Sequence, residues 1–200
     1  MKFIIAILIY SIFFSASLFA QHEKEIEQTT IDLLQTDSLW IKEIFTFPIR
    51  FAKEIDYKGI EEAQFPKGWS SKESPNFWSY VFVWNVEGNR VNSVKELEAD
   101  LKTYFDGLMG LPNTITQFTQ KEDSTNNTYY VGKVSFFDNL RTKQNIELNV
   151  LVQKQYCEET NKSLVVFRFS PKDFNHQVWN TIEKVILRAN ACDFKINNNH

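Results

Sequence analysis

Four carboxylates lie close together in a turn-rich part of the sequence. They are Glu54, Asp56, Glu61 and Glu62, and glycines, prolines and serines punctuate the surrounding segment, residues 53–76. Two carboxylates facing each other across a cleft are what glycoside hydrolysis requires. Carboxylates in a loop are more often only solvated, so the segment gives a hydrolase hypothesis beside a plain structural alternative.

The histidines give no catalytic or metal-binding pattern. His22 and His200 lie at the ends of the expected mature chain, and His176 has no Cys, Glu or second His at ligand spacing. A lone histidine of this kind is typical of a surface or helix-capping residue. The chain also lacks zinc, EF-hand, P-loop and dinucleotide signatures and the G-x-S-x-G motif of one large hydrolase class. We predict no metal site, no cofactor and no catalytic residue.

The two cysteines, Cys157 and Cys192, are the only ones in the chain. In an oxidising compartment one disulfide is the natural suggestion, and it would close a loop of about 36 residues. The alternative is two unpaired, buried thiols, because spacing alone cannot place two α-carbons within bonding range.

Residues 65–84, FPKGWSSKESPNFWSYVFVW, contain seven aromatic side chains. The aromatic residues of 78–84 alternate along the chain, which predicts that they fill a core beneath a helix. The earlier ones lie in or beside a turn, and loops often carry binding residues. If this surface binds a partner, the predicted binding residues are Phe65, Lys67, Trp69, Phe77 and Trp78. The alternative is that Trp69 folds back as a plug over the end of the sheet.

Strands and helices must position the candidate residues named above, and the first half of the chain predicts several of them. Alternation over residues 45–51 predicts a half-buried strand, in which Pro48 indicates an edge or a bend. A long connection, residues 53–76, follows. Residues 77–86 are apolar on both faces and predict a strand in the middle of a sheet. Ser93 begins a Ser-x-x-Glu capping box, and apolar residues at helical spacing predict a helix after it.

The second half of the chain predicts a meander and a closing helix. Strand patterns occur at 115–120, 129–137, 146–154 and 164–169, with polar hairpin loops after the first two. A second helix is predicted from Ser170, with Ser170 as its cap and an inward stripe of Phe174, Val178, Ile182, Val185, Ile186 and Ala189. The fold class is therefore α+β, with an antiparallel sheet of about six strands packed against two main amphipathic helices.

The order of elements, together with the turn Pro66-Lys67-Gly68-Trp69, resembles the PsbP-like fold over most of residues 40–190. The resemblance implies a PsbP-like sandwich and a non-enzymatic role as an assembly factor, adaptor or chaperone-like module. The sequence LFAQ at 18–21 and a chain rich in Phe, Asn and Lys are similar to small exported proteins of Bacteroidota-type bacteria. That likeness implies a periplasmic location.

The N-terminus has the layout of a secretory signal. Lys2 precedes an uncharged, apolar run that ends in small residues, which predicts a signal peptide over residues 1–20 cleaved before Gln21. The alternative is an uncleaved anchor helix. We expect an N-terminal arm at 21–39, a single domain at 40–195 and a flexible tail at 196–200.

The net charge and the hydropathy of the chain restrict the classes of partner that we expect for it. Without Lys2 the remaining 21 basic and 25 acidic side chains give a net charge of −4, which leaves no electrostatic footprint for nucleic acid. No other segment is long and apolar enough to hold the mature chain in a membrane. We therefore expect a periplasmic or secreted protein.

Three functions remain as hypotheses. The first is a protein-binding module, whether a chaperone, an assembly factor or an inhibitor, with an exposed apolar patch. The second is a carrier of a small apolar or sugar ligand in a cavity lined by the strand aromatics. The third is a carboxylate-based hydrolase with perturbed carboxylates in a cleft.

Overall fold

A computed structural model describes residues 31–36, 39–125 and 127–194. The predicted signal peptide and its cleavage site, residues 21–30 of the arm and the 196–200 tail lie outside the described residues. The chain divides into two compact units after Asp32, and only Ile31 and Asp32 of the first unit are described. The fold below is that of the second unit.

A seven-stranded antiparallel sheet forms the body of this unit. Its strands are β2 (Ile41–Thr46), β3 (Gly59–Phe65), β4 (Tyr80–Glu87), β5 (Ile115–Glu122), β6 (Thr128–Phe137), β7 (Asn145–Cys157) and β8 (Lys162–Ser170). They lie in the order β2-β3-β4-β8-β7-β6-β5, so β4, β8 and β7 are central. A separate two-stranded sheet pairs β1 (Leu34–Gln35) with β9 (Ile186–Leu187).

Two α-helices are present in the described residues, α1 (Val94–Met109) and α2 (Gln177–Ile182), followed by a short 3-10 helix at Ala191–Asp193. The predicted cap of α1 is confirmed, since the Ser93 hydroxyl accepts a hydrogen bond from the Glu96 N–H at 3.1 Å. Gly110 ends the helix with φ 67°, a conformation that glycine adopts without strain.

The predicted fold class is wrong. The described chain is mostly β, with nine strands in two sheets, and only α1 is a long helix. The second helix has six residues instead of the stripe predicted from Ser170 to Ala189. Ser170 ends β8, and Ile186 and Leu187 pair with the N-terminal strand β1. This long-range pairing, which local periodicity cannot reveal, overrides the helical pattern.

Two further predictions on the first half of the chain are wrong. The strand predicted at 45–51 lies at 41–46, so its bounds are wrong, although it lies at one edge of the sheet as Pro48 indicated, and the chain turns at the cis peptide bond before Pro48. The predicted connection at 53–76 contains a strand, β3, whose residues are all buried. At the end of the predicted arm, Leu34–Gln35 form the short strand β1.

The alternating aromatic residues of β4 are core residues, as predicted. Phe82 and Trp84 are fully buried beneath α1, and both rings lie 4.6 Å from the ring of Phe167 on β8. We call this side of the sheet the aromatic face and the opposite side the second face. The second face is covered by residues 33–36 and by α2, which contributes the buried side chains Val178, Trp179 and Ile182.

A disulfide joins Cys157 and Cys192, with α-carbons 5.5 Å apart. It attaches the 3-10 helix to the end of β7, so the disulfide alternative is confirmed over two buried thiols. Among the described residues, no helix has the length and apolar character needed to cross a bilayer.

Candidate functional site

The turn that follows β3 brings Trp69 back against the sheet. The Trp69 N–H donates to the Pro66 carbonyl at 3.1 Å, and Gly68 lies between them with φ 84°. The φ of Gly68 is strained for a residue with a side chain, so the turn requires glycine, and an added Cβ would also meet the Ser74 hydroxyl at 2.4 Å. As a result the Trp69 ring stacks on Phe65, with ring centroids 4.3 Å apart.

Trp78 fixes the other side of the same turn. Its N–H donates to the Trp69 carbonyl at 2.8 Å, and its indole Nε1 donates to the Asp138 carboxylate at 3.3 Å. Trp78 has φ 51°, a left-handed conformation that is strained for a bulky residue. Such strain persists only where the surroundings hold the residue in place, and it often occurs at functional sites.

The loop at 138–144 comes to this turn from a distant part of the chain. The buried Asp138 carboxylate organises the loop by accepting the N–H groups of Leu140, Arg141 and Thr142 at 3.0, 2.9 and 2.8 Å. Burial alone would raise the pKa of Asp138, but these hydrogen bonds hold it below its ordinary value. The loop held in this way places the Arg141 guanidinium over the Trp69 ring, 4.3 Å from its centroid, in a cation–π contact.

Exposed apolar side chains adjoin this cluster. Ile41, which pairs with Phe65 across β2 and β3, is 55% exposed. Leu140, which precedes Arg141, is also 55% exposed. Leu39, two residues before Ile41, is 74% exposed. We define the aromatic end as Ile41, Phe65, Trp69, Phe77, Trp78, Leu140 and Arg141.

The five residues predicted to bind a partner lie in or beside this one turn. Phe65 and Trp78 are buried, Trp69 and Phe77 are half-buried, and Lys67 is exposed. Trp69 covers the end of the sheet and also keeps part of its ring at the surface. Leu140 and Arg141 were not predicted from the sequence. The signal for Leu140 in the sequence is a leucine within the polar loop DNLRTK, since turn residues are mostly glycine, proline or polar.

The carboxylates of the hydrolase hypothesis do not form a pair. Glu61 and Glu62 are successive residues of β3, so their side chains point to opposite faces of the sheet. Glu54 and Asp56 are exposed in the preceding turn. This arrangement places no two of the four across a cleft.

Glu61 is buried in the aromatic face. Its carboxylate accepts hydrogen bonds from Trp84 Nε1 at 2.8 Å and from the Tyr104 hydroxyl at 2.9 Å. Burial raises the pKa of Glu61 to about 7, although the two hydrogen bonds oppose the shift and the charge of Glu43 adds to it. A carboxyl enclosed in this way cannot reach a substrate, so its perturbed pKa is a consequence of packing.

His176 is a helix cap, as predicted. Its Nδ1 accepts a hydrogen bond from the Val178 N–H at 3.1 Å at the start of α2. Within the part of the chain that the structure describes, no group of three or more His, Cys, Asp or Glu side chains could hold a metal ion.

Comparison with known proteins assigns this chain to no family. The chain matches no protein-family model, and no curated protein matches it with significant similarity. The PsbP-like and Bacteroidota-type resemblances therefore stay predictions.

Proposed function

We propose that this protein is an exported, non-enzymatic module that binds another protein through its aromatic end. The observation that carries the proposal is the exposure of Ile41 and Leu140 beside Trp69, whose ring contacts both Phe65 and the Arg141 guanidinium. Aromatic and arginine side chains are enriched at the centres of protein interfaces, and they supply most of the hot spots.

The fixed geometry of the aromatic end supports the same proposal. The Asp138 carboxylate holds the 138–144 loop, and the main-chain bond from Trp78 to Trp69 holds the turn. Side chains that are already ordered lose less conformational entropy on binding, so more of the contact energy appears as affinity. The backbone strain at Trp78 is consistent with a surface kept in one conformation for binding.

An exported location accompanies the proposal. The Cys157–Cys192 disulfide is of the kind that persists in oxidising compartments, and the sequence of residues 1–20 has the layout of a secretory signal. Both features favour a periplasmic or secreted protein. The partner should therefore be sought among exported proteins.

The proposal is tested by site-specific photo-crosslinking in the producing cell. A photoreactive phenylalanine analogue at Leu140 should give a covalent adduct with one exported protein, and Trp69→Ala in the same chain should reduce its yield at least about tenfold, as expected for the loss of a hot-spot tryptophan. Purified partner and protein should then show the same loss of affinity by calorimetry.

The matched control places the same analogue at Ile186, which is 50% exposed in β9 and lies outside the aromatic end. It should give no adduct with that partner. Equal crosslinking from Ile186, or an adduct from Leu140 that Trp69→Ala does not affect, would remove the aromatic end as the binding site. No protein adduct at all would contradict a protein-binding function.

A further inference from the structure

A second set of functional groups lies at the opposite end of β4 from the aromatic end. The loop after β4, the end of β5, the start of β6 and the end of β7 enclose an open pocket of about 400 Å³. This volume is within the range of small-molecule sites. Its lining includes Asn89, Asn92, Gln120, Tyr130, Lys154 and Tyr156, which we call the amide pocket.

Lys154 is the only cation in the lining of the amide pocket. Its ammonium donates hydrogen bonds to the side-chain oxygens of Asn89 and Asn92. No carboxylate forms an ion pair with it in the described part of the chain. Burial lowers the pKa of Lys154, and Glu96 opposes the shift from a longer distance. The half-buried ammonium thus has two neutral partners and one remaining donor.

The asparagines that hold Lys154 are themselves fixed. Val91, between them in the chain, has φ 56°, which is strained for a β-branched residue. Its N–H donates to the Glu96 carboxylate at 2.9 Å, and its carbonyl accepts the Tyr130 hydroxyl at 3.4 Å. A strained residue held from both sides implies a pocket whose shape is set before any ligand arrives.

The aromatic walls of the pocket are also fixed. The Tyr130 side chain is buried, and the Tyr156 hydroxyl donates to the Asn161 side chain at 2.8 Å while its ring remains partly exposed. The ring of Tyr156 therefore presents an apolar surface beside amide donors and acceptors. Flat apolar surface with carboxamides and one cation matches a ligand that has an apolar ring face, hydroxyl groups and a negative charge.

The charge of the site favours a single negative charge on the ligand. The two Glu96 oxygens accept hydrogen bonds from the main-chain N–H groups of Val91 and Asn92, just before α1. These bonds hold the Glu96 carboxylate near Lys154. One ammonium with a carboxylate behind it can balance a carboxylate better than a phosphate, which carries about two negative charges. We propose that the amide pocket binds a sugar acid, a hydroxylated ring with one carboxylate, and that Lys154 binds that carboxylate.

The experiment uses the purified protein with D-glucuronate and D-glucose as matched probes, which differ at the carboxylate. Backbone amide resonances of residues 89–92, 120 and 154–156 should shift and saturate on titration with glucuronate. Glucose should bind at least about tenfold more weakly, because it lacks the charge-assisted hydrogen bond. Lys154→Gln should lose at least about tenfold in affinity for glucuronate while its affinity for glucose changes little.

Lys162→Gln is the control variant. Lys162 is another half-buried lysine, on the neighbouring strand β8, and its ammonium donates to the Phe194 carbonyl at 2.8 Å instead of facing the pocket. It should bind glucuronate as the wild type does, and so should Trp69→Ala, because the proposal is independent of the aromatic end. Three results would each overturn the proposal: no saturable shift in these residues, equal affinity for the two sugars, or an equal loss with Lys162→Gln. If Lys154→Gln does not fold, the wild-type titrations with the two sugars decide the question.

Discussion

Glu61 and Glu62 are adjacent in β3, and both carboxylates are fully buried, but their surroundings differ. Glu61 lies in the aromatic face, where its hydrogen bonds come from the side chains of Trp84 and Tyr104. Glu62 lies in the second face, where the backbone N–H groups of residues 33–34 donate to it. One carboxylate is held by the interior of the sheet and α1, and the other by a segment near the start of the described domain.

The same difference extends over the two faces as a whole. The aromatic face is closed by one sixteen-residue helix and by rings in mutual contact. The second face is closed by short pieces: residues 33–36, a six-residue helix and β9. Arg168 holds the later pieces by donating to the carbonyls of Ile182 and Val185 at 3.2 and 2.7 Å. We infer that the aromatic face sets the global stability and that the cover of the second face can open separately.

The largest effect is expected from Trp84→Ala. The variant removes a fully buried ring from the aromatic face and leaves Glu61 with one donor, so the free energy of unfolding should fall by about 3–5 kcal/mol. Trp179→Ala is the matched variant on the second face, where the ring is equally buried but contacts the half-exposed Phe174. Urea denaturation should give it the smaller loss. An equal or larger loss for Trp179→Ala would contradict the inferred division of stability.

Removal of the disulfide tests the second face directly. Cys157 and Cys192 are 35 positions apart, and for a loop of this length the loss of the cross-link should cost about 2–4 kcal/mol. In the double variant Cys157→Ser with Cys192→Ser, hydrogen exchange should quicken first in β1 and β9 and only later in α1. Uniform acceleration over both regions would mean that the second-face cover does not open as a separate unit.

The sequence predicted those elements whose signals are local. The structure contains three such elements: the capping box at Ser93, the two-faced apolar strand, predicted from residue 77 and observed from Tyr80, and the hairpins from Ile115 to Ser170. All of them depend on residues close in the chain. β3 was missed because two adjacent glutamates in GIEEAQF indicate solvent. Their burial depends on partners that are distant in the chain, such as Tyr104, 43 positions from Glu61.

The candidate site shows the same limit. The turn predicted around Gly68 carries Trp69 and Phe77, both half-buried. Arg141 comes from a loop more than sixty positions after Trp78, and contacts between segments distant in the chain bring that loop to the turn, among them the hydrogen bond from Trp78 to Asp138 and the contact of Arg141 with Trp69. The asparagines around Lys154 also gave no signal, because isolated amides in loops are expected as turn formers. For a binding surface built from several loops, the sequence therefore predicts the single loops but not which loops come together.

The dependence of stability on pH sharpens the comparison between the two glutamates. Glu61 has a folded-state pKa of about 7 against 4.5 for an ordinary glutamate, so between these values the folded state holds a proton that the unfolded state has lost. Stability from this group is therefore complete below about pH 4.5 and is lost as the pH rises through 7. The wild type should lose roughly 2 kcal/mol between pH 5 and pH 7 through Glu61 alone.

Glu61→Gln should remove most of that loss, since an amide cannot ionise but can still accept a hydrogen bond from Trp84 or Tyr104. The measurement is the free energy of unfolding in urea at pH 5 and pH 7. Burial also raises the pKa of Glu62, but the Leu33 and Leu34 N–H groups, Gln64 and Lys42 all oppose the shift. Glu62→Gln should therefore flatten the pH dependence less than Glu61→Gln does. The reverse order would show that the backbone donors of the second face hold the Glu62 charge less well than two side chains hold that of Glu61.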